Sequence, residues 1–410
     1  MQSRFRKGTL WAAAALTGSM FLAGCGTATS TPASGPAKTK SAAAEISIGT
    51  LYASTGSFAT SSMPEYQGLQ FWINQVNAAG GTYVKAEGKK EKIHLVSYND
   101  QSSAQTATSL YNQLITVNHV NMLVADFGSV LTSVAVPIAQ EHKQLLFDQS
   151  GTGTTFFTPN NPYIVLTSLP TSALWPTSLA NYLISKQYKK VAIVYGENDF
   201  DQSQDQTLTN LLAKAGITPT YNNAVPTSTS SYTVILHNMA ATHPQAVIEL
   251  GYPNNDISFM QALQTSGSTF PMTFTIFPGQ LPSLFEKSFG LKGLNNMFTY
   301  PAPPLFKVQG VDYGMPLTQF EQAFKKQTGS APNFLNVAGY NTGLILQKTL
   351  ATATSLSQKS LRQAVTGFSG SITTLDGQFK INNEGAQVGE TLPVGQFTVK
   401  NGKLNVNFMP

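Results

Sequence analysis

Glu45-Ile46-Ser47-Ile48-Gly49-Thr50-Leu51-Tyr52 is a short apolar run, and a Ser/Thr/Gly-rich stretch at 53–63 leads from it into a different periodicity. Leu69, Trp72, Ile73 and Val76 fall at i, i+3, i+4 and i+7, one face of a helix, with Ser62-Met63-Pro64-Glu65 at capping-box spacing in front and Gly80-Gly81 behind. A buried strand followed at once by an amphipathic helix reads as a β-α unit, and the unit recurs. Strand 93–98 precedes a helix marked by Ala107, Leu110, Tyr111 and Leu114; strand 120–127, helix 131–141 and strand 145–148 follow. After 163–168 the order restarts with helix 172–186, strand 190–195, helix 202–215, strand 218–225, helix 232–241 and strand 246–252. Apolar strands alternating with helices predict parallel sheets covered on both faces, so the fold class expected is α/β with two doubly wound lobes in tandem. In such sheets ligands sit beyond the carboxyl ends of the strands, which directs attention to the loops after Tyr52, Phe127, Asp148, Tyr195 and Leu250.

The stretch before Glu45 has another character. Arg4, Arg6 and Lys7 precede an apolar run from Leu10 to Phe21 that ends in Leu22-Ala23-Gly24-Cys25, the pattern of a secretion signal at 1–24 with a lipobox. Cys25, the one cysteine of the chain, then stands as the lipidated first residue; the other reading is an ordinary signal peptide with a chance cysteine. Residues 25–44 are small, polar and proline-punctuated, with nothing to bury, and read as a flexible tether. The expected location is therefore extracytoplasmic and membrane-anchored. From residue 45 onward more chain remains than one hydrophobic core normally serves, which agrees with two lobes.

Composition excludes several functions. The net charge of +5 includes the three cations of 1–24, where no acid occurs, so it falls to +2 beyond them. No Lys/Arg cluster interleaved with aromatics appears, which excludes nucleic acid as the expected partner. Without a second cysteine there is no disulfide, thiolate metal site or cysteine nucleophile in the folded part. The five histidines, at 94, 119, 142, 237 and 243, show no metal-ligand spacing, and no cofactor is implied. Neither a Gly-x-Ser-x-Gly elbow nor a phosphate-binding Gly-x-x-x-x-Gly-Lys loop occurs. Asp199-Phe200-Asp201-Gln202-Ser203-Gln204-Asp205 has Gln204 where a calcium loop needs glycine, and reads as an acidic helix N-terminus. Charged residues make up only 11%, and such sparse carboxylates suit an acidic habitat.

The strand-end loops carry hydroxyls and backbone amides instead: Phe127-Gly128-Ser129 and Gln149-Ser150-Gly151-Thr152, beside Phe58, Phe200 and Tyr252. Amides and hydroxyls suit an anionic or carbonyl head, and aromatic walls suit an apolar body.

With Ile48-Gly49, the Ser54-Thr55-Gly56 loop, Gly68-Leu69-Gln70, Ile73 through Gly81, Val96-Ser97-Tyr98-Asn99-Asp100, Val191-Ala192-Ile193-Val194-Tyr195 and Gly251-Tyr252 in this order, the chain resembles the type I periplasmic solute-binding proteins of ABC importers, of the leucine/isoleucine/valine-binding kind. The resemblance covers about 45–408. It implies two lobes joined by three crossovers, expected near 168–170, 300–303 and 368–372, so that lobe I comprises 45–168 plus 301–368 and lobe II 169–300 plus 369–410. It implies that Ser129 meets a ligand carboxylate, with Ser150, Thr152, Phe200 and Tyr252 around the solute; Gly151 and Phe58 join them from the reading of the strand-end loops. One position departs from the family: the glutamate that holds an amino acid's ammonium group is expected near Phe277-Pro278-Gly279-Gln280, and no acid stands there. Two readings of Asp148 and Glu249 follow, as replacements for that acid or as buried capping carboxylates. If neither faces the ligand, an aromatic or aliphatic acid, or an amide, is favoured over an ordinary amino acid. The function implied is a lipid-anchored, non-enzymatic receptor that presents a small solute to an ABC permease. The alternatives are the ligand-sensing module of a signalling complex and a secreted lipoprotein hydrolase, for which no nucleophile, base and orienter can be named.

Overall fold

The computed structural model describes residues 45–410; the signal segment at 1–24, Cys25 and the tether lie outside the described residues. The first half runs β1 (Ile46–Tyr52), α1 (Ala59–Ala78), β2 (Thr82–Val84), β3 (Lys89–Glu91), β4 (Ile93–Asn99), α2 (Ala104–Thr116), β5 (Met122–Val124), α3 (Gly128–Glu141), β6 (Leu146–Asp148) and β7 (Ile164–Leu166). Next come α4 (Pro176–Ser185), β8 (Val191–Gly196), α5 (Asp199–Lys214), β9 (Tyr221–Val225), α6 (Thr233–Ala241), β10 (Ala246–Leu250), α7 (Pro253–Ser266), β11 (Met272–Phe274), α8 (Pro282–Leu294) and β12 (Phe298–Thr299). The remainder contains α9 (Leu317–Thr328), α10 (Phe334–Thr352), α11 (Gln358–Phe368), β13 (Ile372–Thr374), β14 (Gly377–Phe379), β15 (Gly395–Lys400) and β16 (Lys403–Phe408). No helix among the described residues is long and apolar enough to cross a membrane.

Two large sheets result. The first has the order β4-β1-β5-β6-β7, all parallel, and the second the order β16-β15-β12-β11-β10-β8-β9. The second is parallel from β9 to β12, but β15 and β16 add as an antiparallel hairpin, which the alternating pattern does not reveal. In both sheets the central strands are mostly apolar because helices cover both faces; β5, β6, β7 and β10 are buried throughout, with Asp148 in β6 and Glu249 in β10 as the acids among them.

The two halves are interleaved in sequence. Leu317, Phe320, Phe324, Val337, Leu361 and Phe368 of α9 to α11 pack into the core of the first sheet with Ile48, Phe71 and Trp72. Ile372, Leu375, Phe379 and Ile381 join that same core, and the chain returns to the second sheet only at β15. A third crossover near 368–372 therefore comes earlier than the packing places the change of sheet. The α1–α10 crossing fixes much of the site's floor. A side chain at Gly68 would collide with the Asn336 backbone and one at Gly339 with that of Glu65, so both glycines permit backbone contact between the helices. The expected capping box at Ser62 does not form. Helix α1 starts earlier, at Ala59, because the Ser62 hydroxyl accepts the Ala53 N–H at 2.7 Å and donates to Asp126 Oδ1 at 2.5 Å, while Glu65 is wholly buried.

Candidate functional site

The carboxyl ends of the two sheets face one another, and the loops there meet. Asp199, at the start of α5, accepts hydrogen bonds from the Thr155 backbone N–H at 2.9 Å and its hydroxyl at 2.7 Å. The Asn254 amide donates to the Ser57 carbonyl at 2.8 Å. Tyr252 packs edge-on against Phe58 and Phe127, with ring centroids 5.3 and 5.9 Å apart. These contacts enclose a cavity of about 20 Å³, room for about one water-sized group, walled by Phe127, Trp175, Phe200, Tyr252, Phe277 and Phe334. Gly128, Leu169 and Leu335 complete the apolar lining; Ser150, Thr152, Ser168 and Gln280 supply its polar atoms.

Helix N-termini position these groups. Gly128 opens α3 with a φ of +73°, a left-handed turn that glycine adopts without strain, and its missing side chain leaves space for the Tyr252 ring. Its N–H is accepted by Ser150 Oγ at 3.0 Å. The Tyr252 hydroxyl lies 3.4 Å from the Val130 N–H, so an oxygen from the second half caps the start of α3. Two lining groups have no partner among the described residues: the Thr152 hydroxyl, 1% exposed, and the Gln280 amide nitrogen, 2% exposed.

The sequence-based candidates divide accordingly. Ser150, Thr152, Phe200 and Tyr252 line the cavity. Ser129 is buried one step behind it, its Oγ accepting the Gly153 N–H at 2.9 Å. Gly151 lies beneath the loop, where a side chain would collide with Thr132. Phe58 walls an outer cleft of about 240 Å³ with Val130 and Asn254, and Tyr252 is the partition between that cleft and the enclosed cavity. Asp148 and Glu249 do not line the cavity. Asp148 is wholly buried and accepts the Gly151 N–H at 2.7 Å; Glu249 accepts the Tyr232 hydroxyl at 3.3 Å, beside Asp256. Asp148 holds a backbone N–H, whereas Glu249, inside β10, holds only the Tyr232 hydroxyl and caps no backbone group. Desolvation raises both carboxyls, Asp148 to about 7.

Sequence reasoning passed over Trp175, Phe334 and Ser168 as site residues, and also the acids under the floor. Ser168 Oγ donates to Asp376 Oδ2 at 2.7 Å. Glu65 lies next to Ser150, and both its oxygens lack a partner by geometry. Burial drives the Glu65 and Asp126 carboxyls well above the usual range, with neighbouring acids adding to the effect, and it raises Asp376 to about 7. Glu65 was hidden by its capping-box spacing, and Asp376 lies far along the chain from the loops it supports. Phe277 and Gln280 were the exceptions: the missing-glutamate position had already singled out their segment.

The family described as periplasmic binding protein matches residues 45–403. A Leu/Ile/Val-binding protein homolog 8 from Brucella abortus (strain 2308) is 21% identical over 313 residues, covering 71% of this chain and 72% of that protein. Among solved structures, the leucine binding protein LivK of Thermotoga maritima aligns with a TM-score of 0.75 at 16% identity, over 88% of this chain and 97% of the other. An ABC transporter solute binding protein of R. palustris, in complex with benzoate, aligns with a TM-score of 0.73 at 16% identity, over 88% and 95%. The match over nearly the whole described chain, and two facing sheets with a cavity at their carboxyl ends, lead to one conclusion: this chain belongs to the periplasmic binding protein family, of the type I, leucine/isoleucine/valine-binding kind.

Proposed function

We propose that the protein is an extracytoplasmic substrate-binding protein of an ABC importer, held to the membrane by lipid on Cys25, that closes two lobes around a small solute with an apolar body. The observation that carries this reading is the cavity between the sheets, walled by six aromatic side chains drawn from both halves; with room for about one water-sized group as it stands, it admits a solute only as the lobes separate and these walls move apart. Lobe I is then 45–168 plus 301–368, lobe II 169–300 plus the hairpin at 395–408, and the packing of 372–381 attaches the return segment to lobe I. Contacts such as Asp199 with Thr155 exist only when the lobes meet, so a solute bridging both lobes favours closure by the affinity it adds in that state. Thr152 and Tyr252 contact the solute, and Ser129 supports the loop that does. That a relative of this fold holds benzoate supports an aromatic or aliphatic body in the cavity.

A thermal-shift screen of amino acids, organic acids, amides and amines tests the binding reading, since a ligand of the native state raises the midpoint with the logarithm of its excess. A saturable shift for one chemical class is expected, and no shift for any would contradict it. For the anchor, Cys25→Ser is expected to release the protein from washed membranes. Retention there would show that the anchor is elsewhere.

A further inference from the structure

The polar atoms of the cavity have an orientation that bears on the solute's charge. With Asp376 ionised, Ser168 donates its one proton to it, at 2.7 Å, and only oxygen lone pairs remain for the cavity. Ser150 accepts from the Gly128 N–H and lies beside Glu65. The Thr152 hydroxyl is buried, unpartnered and on the same wall. Behind these hydroxyls lie Glu65, Asp126, Asp148 and Asp376, and none takes part in an ion pair among the described residues. Burial holds these acids toward their neutral forms, and a cation placed against them would favour ionisation.

The opposite requirement, a seat for a carboxylate, is met only by neutral donors: the Gln280 amide nitrogen, buried and without a partner among the described residues, and the Thr152 hydroxyl, which can donate as well as accept. Among the described residues no Lys, Arg or His lines the cavity. The N–H groups at the start of α3 that would receive an anion already face the protein's own oxygens, Ser150 Oγ and the Tyr252 hydroxyl. Ser129 Oγ is likewise used by Gly153.

We propose that the cavity takes the protonated amine of a small apolar solute that needs no carboxylate, with Ser168, Ser150 and Thr152 accepting its N–H bonds and Asp376 and Glu65 supplying the counter-charge behind them. This rests on the solute-binding reading above and names its ligand class. The aromatic walls suit both an apolar body and a cation set against ring faces. The other carboxyls facing this pair are Asp126 and Asp148 toward Glu65, and Glu390 toward Asp376. Because burial favours the neutral acids, an arriving ammonium that stabilises the ionised form displaces a proton.

The test is calorimetric titration of the full chain with three probes of matched body: 2-phenylethylamine, 3-phenylpropanoate and phenylalanine. The amine is expected to bind more tightly than the other two, with proton release visible as a dependence of the heat on buffer ionisation enthalpy. Asp376→Asn or Glu65→Gln is expected to cost the amine about tenfold or more in affinity and to remove proton release, as when one partner of a desolvated charge pair is neutralised. Glu249→Gln, which alters an equally buried acid away from the cavity, is expected to leave affinity within about twofold. Should Asp376→Asn fail to fold, Ser168→Ala keeps the carboxyl and is expected to weaken the amine severalfold. Tight binding of 3-phenylpropanoate with none of the amine, or amine affinity untouched by all three floor substitutions, overturns the assignment of charge while leaving the solute-binding reading standing. Failure of every probe, with a saturable thermal shift from some other class, overturns the amine class alone; failure of every solute in both assays overturns both.

Discussion

Two sets of buried acids, one under each sheet, make the most instructive contrast in this molecule. Asp201, Glu249 and Asp256 in the second half hold local structure: Asp201 accepts from the Asn198 amide at 2.6 Å, and Asp256 accepts the Phe277 N–H at 2.6 Å. Glu65 and Asp376 in the first half are as deeply buried, yet their nearest polar neighbours are hydroxyls that open on the cavity. Burial alone therefore does not mark a site. What separates the sets is whether the carboxyl's neighbour is a group turned to the fold's own structure, as the Asn198 side chain that caps α5 and the Phe277 N–H are, or a hydroxyl that lines the cavity.

The largest expected effect is one that both sets share. Burial raises Asp148, Asp256 and Asp376 to about 7, far above their ordinary value near 4, so the folded chain binds protons that the unfolded chain releases. The stability this contributes is fully present below about pH 4 and is lost as pH rises toward about 7, on the order of several kcal/mol across the set. Melting temperature followed from pH 4 to 8 should fall with pH, and a rise would show that these carboxyls are ionised and paired in the fold. Next in size is the contrast itself. Asp256→Ala leaves the Phe277 N–H buried without an acceptor and should cost about 2–4 kcal/mol in denaturant unfolding. Glu65→Met, which replaces an unpartnered carboxyl by an apolar group of similar volume, should be neutral or stabilising at neutral pH. Equal losses for both would erase the distinction.

Smaller effects probe where the halves meet. Gly128→Ala forces a side chain into a left-handed turn against Tyr252 and should cost about 1–3 kcal/mol, read as a lower melting temperature. Asp199→Asn should cost about 1 kcal/mol or less, because the Thr155 it holds is exposed; its clearer readout is faster solute release from a less favoured closed state.

The alternation of elements was legible because strands covered on both faces must be apolar and helices between sheet and water must repeat every 3.6 residues; Val191 to Tyr195 and the Leu69–Val76 face show both signals. Boundaries were less so, as with α5, which starts at Asp199, capped by Asn198, ahead of the expected 202. The antiparallel β15–β16 hairpin carries no signal of which sheet edge it joins. At the site, Ser150, Thr152, Phe200 and Tyr252 were legible because strand ends are local features. Phe334, Leu335 and Asp376 were not, since they reach the cavity region by way of the return segments, which only tertiary packing brings there. Glu65 misled because a Ser-x-x-Glu pattern reads identically whether its carboxyl caps a helix or lies in a core.

The central claim is that a solute occupies the aromatic cavity between the sheets, and Trp175 reports on it directly. Trp175 lines that cavity, whereas Trp72 is buried in the core of the first sheet, hydrogen-bonded to Gln347. Tryptophan fluorescence titrated with 2-phenylethylamine should change saturably, keep that change in Trp72→Phe and lose it in Trp175→Phe. A saturable signal that survives Trp175→Phe and disappears in Trp72→Phe would place the solute elsewhere and contradict the account.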